Sequence, residues 1–121
     1  LLEIMEAVVE HRLDQIDVAW HTGTAVCVVL TSRGYPGPSA TGKPVTGLSN
    51  AQSARDVLVF HAGTRRQGDE TVTAGGRVLG ITGLGPDLRV ARERAYHGVH
   101  AISYEGCHFR TDIASRGLID T

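Results

Sequence analysis

Leu2, Met5, Val9, Leu13 and Ile16 recur at intervals of three and four residues. That spacing puts them on one face of a helix, with Glu3, Glu6 and Glu10 largely off the stripe. It predicts an opening helix that ends near Asp14, with residues 17–23 leading out of it. Residues 25–30 (Ala-Val-Cys-Val-Val-Leu) are apolar at every position and are bounded by Gly23 and Gly34. A short, β-branched, uninterrupted run of this kind predicts a strand buried on both faces. Residues 33–48 then carry four glycines and three prolines in sixteen positions. This predicts a long ordered or semi-ordered loop, a type of segment that often carries function.

Beyond it, residues 49–55 have room for one helical turn, and Val57-Leu58-Val59-Phe60-His61 reads as a second strand. The polar tip at 65–69 turns the chain into Glu70-Thr71-Val72-Thr73, a predicted hairpin. Gly75-Gly76 is a further turn signal, read as a hairpin turn into a strand over 77–82. Gly85-Pro86-Asp87 opens a helix whose apolar face is Leu88, Ala91, Ala95, Val99 and Ile102, and Glu105-Gly106 closes it. Cys107-His108-Phe109-Arg110 reads as a last short strand. The sum is a small α+β domain. It has four or five mostly antiparallel strands and one packed helix, in addition to the opening helix.

Composition narrows the function classes. A length of 121 residues fits one domain with a core of its own. The net charge is −1 and no basic run occurs, which argues against nucleic acid as a partner. Arg65-Arg66 lies beside Asp69-Glu70 and reads as a solvated hairpin tip. No apolar run approaches the ~20 residues needed to span a bilayer, and no signal-peptide pattern is present. Cys27 and Cys107 fit neither a disulfide framework nor a zinc site. Cys27 reads as a small hydrophobe within its strand, and a reducing, cytoplasmic setting is the simplest expectation. The chain starts already in helical rhythm, without Met or a capping residue, and so reads as a piece that begins inside a helix.

Candidate chemistry is sparse. Residues 37–43 (Gly-Pro-Ser-Ala-Thr-Gly-Lys) match seven of the eight positions of a phosphate-cradling loop. The eighth is Pro44, which has no hydroxyl for Mg²⁺ and no N–H for a phosphate, and it pushes Lys43 toward extended geometry. The match therefore reads as coincidence. Gly80, Gly83 and Gly85 do not make a dinucleotide fingerprint, and are expected to bend or end a strand. His97 and His100 could share a helix face but lack a third ligand, so they are expected to face solvent. His11 and His21 have no context. No paired carboxylates and no nucleophile elbow occur. No catalytic and no metal-ligating residue is assigned.

The remaining segments carry a resemblance. They are Gly34-Tyr35-Pro36-Gly37, Phe60-His61-Ala62-Gly63-Thr64, Thr73-Ala74-Gly75-Gly76-Arg77-Val78-Leu79, Ala95-Tyr96 and Phe109-Arg110-Thr111-Asp112-Ile113. In order and spacing they resemble the C-terminal domain of the phosphoribosylamine–glycine ligases (glycinamide ribonucleotide synthetases) over essentially the whole chain. The closing motif usually continues with Gly, where this chain has Ala114. The resemblance implies an ATP-grasp C-terminal domain of the rudimentary hybrid-motif type over residues 23–121, with residues 1–22 as the end of the ATP-grasp region. It implies an enzyme that joins glycine to 5-phosphoribosylamine with ATP and Mg²⁺ (or Mn²⁺) in purine synthesis. The N-terminal and ATP-grasp domains would be partners in the same polypeptide. The fragment itself would bind no cofactor and be inactive.

Within that frame Gly34, Tyr35, Pro36, Gly37, His61, Gly63 and Thr64 are the candidate substrate-binding residues. Both loops follow strands, and glycine lets a backbone approach a ligand closely. The plainer alternative is that both are turns, with His61 bonded inside the fold. Arg110 and Asp112 are expected to form a structural ion pair or an interdomain contact. Two other identities compete. One is the C-terminal domain of another ATP-grasp ligase or carboxylase; the other is a free-standing binding or interaction module.

Overall fold

The structure is a computed structural model, and it describes residues 1–118. Its elements in chain order are helix α1 (Leu2–Val9), strand β1 (Thr24–Thr31), helix α2 (Leu48–Ser53), strands β2 (Val57–His61), β3 (Thr64–Gln67), β4 (Glu70–Thr73) and β5 (Arg77–Gly85), and helix α3 (Leu88–Ala101). Short 3₁₀ turns cover Leu13–Gln15 and Arg116–Leu118. The α+β class and the antiparallel pairing match the sequence expectation.

β5 is the centre of a three-stranded antiparallel sheet in the order β1-β5-β2. The register aligns Val26 with Gly83, Val28 with Ile81 and Leu30 with Leu79, while β2 aligns Val59 with Ile81 and Val57 with Gly83. These residues make one sheet face, and α3 packs on it through Ala91, Ala95 and Val99. Small residues on both partners let the helix sit close: a Cβ on Gly98 would meet the side chains of Val57 and Ile81 below 3 Å. Burial of this face takes Val26, Val28, Leu30, Leu79 and Ile81 out of water, the dominant kind of favourable term in folding. Asp87 caps α3, its side chain accepting from the Val90 N–H at 2.8 Å. Asp87→Ala is expected to cost about 1 kcal/mol in chemical denaturation.

β3 and β4 form a separate hairpin that turns at Gly68-Asp69. The 42–46 segment runs beside it: the Val45 N–H donates to Thr71 O, the Thr73 N–H to Lys43 O, and the Lys43 N–H to the Thr73 hydroxyl oxygen.

Several expectations are corrected. α1 stops at Val9, and His11 takes a positive φ of 54°, which breaks the helix before Asp14. Leu2, Met5, Val9 and Leu13 of its stripe are exposed, because nothing among the described residues packs over them. β1 is buried on one face only: Val26, Val28 and Leu30 point to the core, while Cys27 and Val29 are exposed. A continuous apolar run therefore does not mean two covered faces here, since α3 lies on one side alone. Gly75-Gly76 is not a hairpin turn, since β4 and β5 lie in different sheets and the glycines carry the chain between them. Gly83 lies inside β5 under α3, not at a bend, whereas Gly85 is the last residue of the strand. The expected strand at 107–110 is a single bridge, Thr31 to His108.

Candidate functional site

The uncovered face of the three-stranded sheet is the floor of a groove of about 900 Å³. Alternation along each strand builds that floor. Val29 on β1, Gly80 on β5 and Phe60 on β2 are register partners and lie side by side across it. Three chain segments rise around one end: Tyr35-Pro36-Gly37 after β1, His61-Ala62-Gly63 after β2, and Gly75-Gly76-Arg77 leading into β5. Tyr35 and Pro36 are joined by a cis peptide bond.

Backbone bonds tie these walls together. The Ser32 N–H donates to Gly76 O at 2.8 Å and the Ser32 hydroxyl to Gly75 O at 2.9 Å. The Gly63 N–H donates to Arg77 O at 2.7 Å, and the Ala74 N–H to Gly63 O at 2.8 Å. The Tyr35 ring lies so near Gly76 that a Cβ there would be 2.7 Å from it. The walls are thus a bonded frame and not three free loops.

Of the candidate residues, Tyr35, Pro36, Gly37, His61 and Gly63 line this groove together. Gly34 lines an adjoining hollow with Arg33 and His108. Thr64 stands behind His61, its hydroxyl 2.9 Å from His61 Nδ1. His61 is exposed, and its ring's one hydrogen-bond partner among the described residues is this Thr64 hydroxyl. With Nδ1 engaged, Nε2 is the ring atom left for a ligand. The sequence reading missed Arg77, Gly75 and Gly76 as wall residues, and Val29, Phe60 and Gly80 as floor. Arg77 stood in the quoted motif, but its place there was taken for a hairpin flank.

Among the described lining residues of the groove, Arg77 is the one Lys, Arg, Asp or Glu. Arg77 has no ion pair or side-chain hydrogen bond among the described residues, and no carboxylate lines the groove. Other charges are engaged elsewhere. Lys43 of the near-phosphate-loop segment pairs with Glu105 at 2.8 Å, which holds that carboxyl below the usual range through hydrogen bond and charge. Pro44 bridges to Val72, and no helix starts there, so residues 37–43 form no phosphate cradle. Arg110 and Asp112 make a two-pronged ion pair at 2.6 and 2.8 Å that lowers the Asp112 carboxyl. The Tyr104 hydroxyl donates to Thr31 O, and burial pushes both its phenol and the neighbouring Cys107 thiol up. His97 and His100 face solvent. Among the described residues no three His, Cys, Asp or Glu side chains could hold a metal ion, and no helix is long and apolar enough to cross a membrane.

The family model described as phosphoribosylglycinamide synthetase, C domain, matches residues 25–116. The chain belongs to this synthetase C-domain family. Among its relatives, the phosphoribosylamine–glycine ligase of Synechocystis is 45% identical over 119 residues, covering 98% of this chain and 28% of the relative. That of Streptomyces coelicolor is 46% identical, covering 93% of this chain and 28% of the relative. The crystal structure of the phosphoribosylamine–glycine ligase from Thermotoga maritima superposes with a TM-score of 0.73 at 33% identity, over 93% of this chain and 28% of that one. This C-domain chain therefore spans just over a quarter of the length of the curated relatives it matches. The matched stretch begins one residue inside β1 and includes every wall and floor residue of the groove.

Proposed function

We propose that the chain is the C-terminal domain of a phosphoribosylamine–glycine ligase, and that its groove holds the phosphoribosyl moiety of the amine substrate. In this reading residues 23–121 are the C-terminal domain proper, and 1–22 are the end of an ATP-grasp region. The remaining domains of the same cytoplasmic polypeptide supply the ATP site. ATP activates the glycine carboxylate as an acyl phosphate. The amino group of 5-phosphoribosylamine attacks it, and phosphate leaves.

The described lining of the groove holds no carboxylate of the kind that hard divalent cations need, so Mg²⁺ is not placed in it. No phosphoryl-transfer step is assigned to this chain. Its task is positioning: fixing one reactant converts part of the entropy of encounter into binding.

The observation that carries the proposal is the unpaired Arg77 in a groove free of carboxylates, framed by glycine-rich backbone. A guanidinium matches the geometry and charge of a sugar phosphate. His61, steadied by Thr64, and the Gly34-Tyr35-Pro36-Gly37 turn complete the wall. The exposed stripe of α1 suits contact with the preceding domains.

The test is ligation by the full-length polypeptide, read as ADP release that depends on glycine and phosphoribosylamine. Arg77→Ala is expected to raise the phosphoribosylamine KM by about tenfold or more, the worth of one charge-assisted bond. Substrate-independent ADP release would sink the ligase reading. An unchanged KM would remove the groove from the substrate site.

A further inference from the structure

Gly80 sits in the middle of β5, the central strand, where glycine weakens a sheet. Two ordinary reasons for a glycine do not apply. Its φ is not among the positive values, so any residue could adopt its backbone. Nor does packing require it: a Cβ would lie 3.3 Å from Cys27 Sγ and 3.9 Å from Phe60 Cβ, a fit reached by a small turn of the cysteine. Gly83, three residues on, is different, because α3 backbone presses on it. The register shift opposite Leu30 and Thr31 falls at Val78, while Gly80 itself stays in regular register with Val29 and Phe60, so no bulge accounts for it either, and such a strand glycine marks a place where something else comes close.

The surroundings indicate what comes close. Val29 and Phe60 flank Gly80 in register and are 42% and 56% exposed. They border a notch with apolar sides and a bare backbone floor, inside the groove. Arg77 lies three residues along the same strand, ~10 Å at strand rise. The notch and Arg77 line the same groove, so a ligand with an apolar ring face and a phosphate can meet both.

Resting on the groove reading above, we propose that Gly80 is a specificity-determining residue whose missing side chain makes room for the C–H face of a 5-phosphorylated pentose, between Val29 and Phe60, with the phosphate on Arg77. The ring is selected by the notch and the phosphate by the arginine. Enlarging residue 80 therefore discriminates against the sugar and not against phosphate.

The test is a pair of titrations of the full-length polypeptide, one with ribose 5-phosphate and one with inorganic phosphate. Gly80→Val is expected to weaken ribose 5-phosphate about tenfold through overpacking. Inorganic phosphate affinity stays at the wild-type value, and the thermal midpoint does not fall, because valine suits a strand. Gly80→Ala shows the same discrimination to a smaller degree and carries the test if the valine variant does not fold. Ribose 5-phosphate binding that both variants leave unchanged overturns the notch while the groove reading stands. Equal weakening of both ligands also overturns it, since it would mean general disruption. A wild-type polypeptide that binds neither ligand overturns both readings.

Discussion

Gly83→Ala is expected to remove a large share of the stability of the chain. A Cβ at this position would lie 2.3 Å from Ala91 O, 2.3 Å from Ala95 N and 2.9 Å from Arg94 C. All three are backbone atoms of α3, so no side-chain rotation relieves the overlap. The helix would have to lift from the sheet along the row that buries Val26, Val28, Ile81, Ala91 and Ala95. Close-packed interiors resist such shifts. A cost of roughly 3–5 kcal/mol follows from overpacking in a rigid core. That is a third or more of the stability of many small domains, about 5–15 kcal/mol in all. The control is Gly42→Ala, where φ is +77° but no atom lies within 4 Å; it should cost only about 1 kcal/mol, from backbone strain. Urea unfolding of the two variants decides the matter. A Gly83→Ala protein within 1 kcal/mol of wild type would mean that α3 does not rest on this glycine.

The contrast between those glycines shows what the sequence could and could not disclose. Period and composition predicted α3 and its start, since Ala91, Ala95 and Val99 repeat every four residues after Asp87, but not its end: the helix stops at Ala101, with Ile102 extended, before Glu105-Gly106. The run at 25–30 predicted β1 but not its one-sided burial. Six apolar residues look the same whether the second face meets a core, another domain or a ligand. The stripe of α1 was legible as a stripe, but among the described residues it stays exposed. Gly75-Gly76 was legible as a turn, yet its partners are set by register far along the chain, so it joined two sheets and closed no hairpin. The same holds for the groove. Its loops at 35–37 and 61–63 stood out as glycine-rich motifs. Its floor is a row of three residues on three strands, Val29, Gly80 and Phe60, and only the sheet register brings them together.

Gly63→Ala is expected to damage both the fold and the groove, and to do so more than the same change at its neighbour Gly75. The chain leaves the three-stranded sheet at Ala62-Gly63 and returns at Ala74 to Gly76, and the two crossings press on one another. A Cβ on Gly63 would lie 2.5 Å from Arg77 O and 2.9 Å from Gly75 Cα. That same Arg77 carbonyl accepts the Gly63 N–H at 2.7 Å, while Gly63 O accepts from Ala74 at 2.8 Å. The methyl therefore intrudes on the bonds that hold the crossings together, and both bonds stretch if the strands part. The expected loss is about 3 kcal/mol, at the upper end for overpacking with partly buried hydrogen bonds strained. On Gly75 a Cβ would meet only Gly63 Cα at 3.3 Å, a contact relieved by a few tenths of an ångström. Arg77 and His61 flank the crossings, so parting them also moves the groove walls against each other. Gly63→Ala chain that still folds at low temperature should show amide shifts concentrated at residues 35–37, 61–64 and 75–78, with little change in α3. It should also bind ribose 5-phosphate more weakly than the Gly75→Ala chain does. Equal stability losses for the two variants would show that the crossings yield symmetrically, and that the one-sided clash at Gly63 does not set the geometry of this wall.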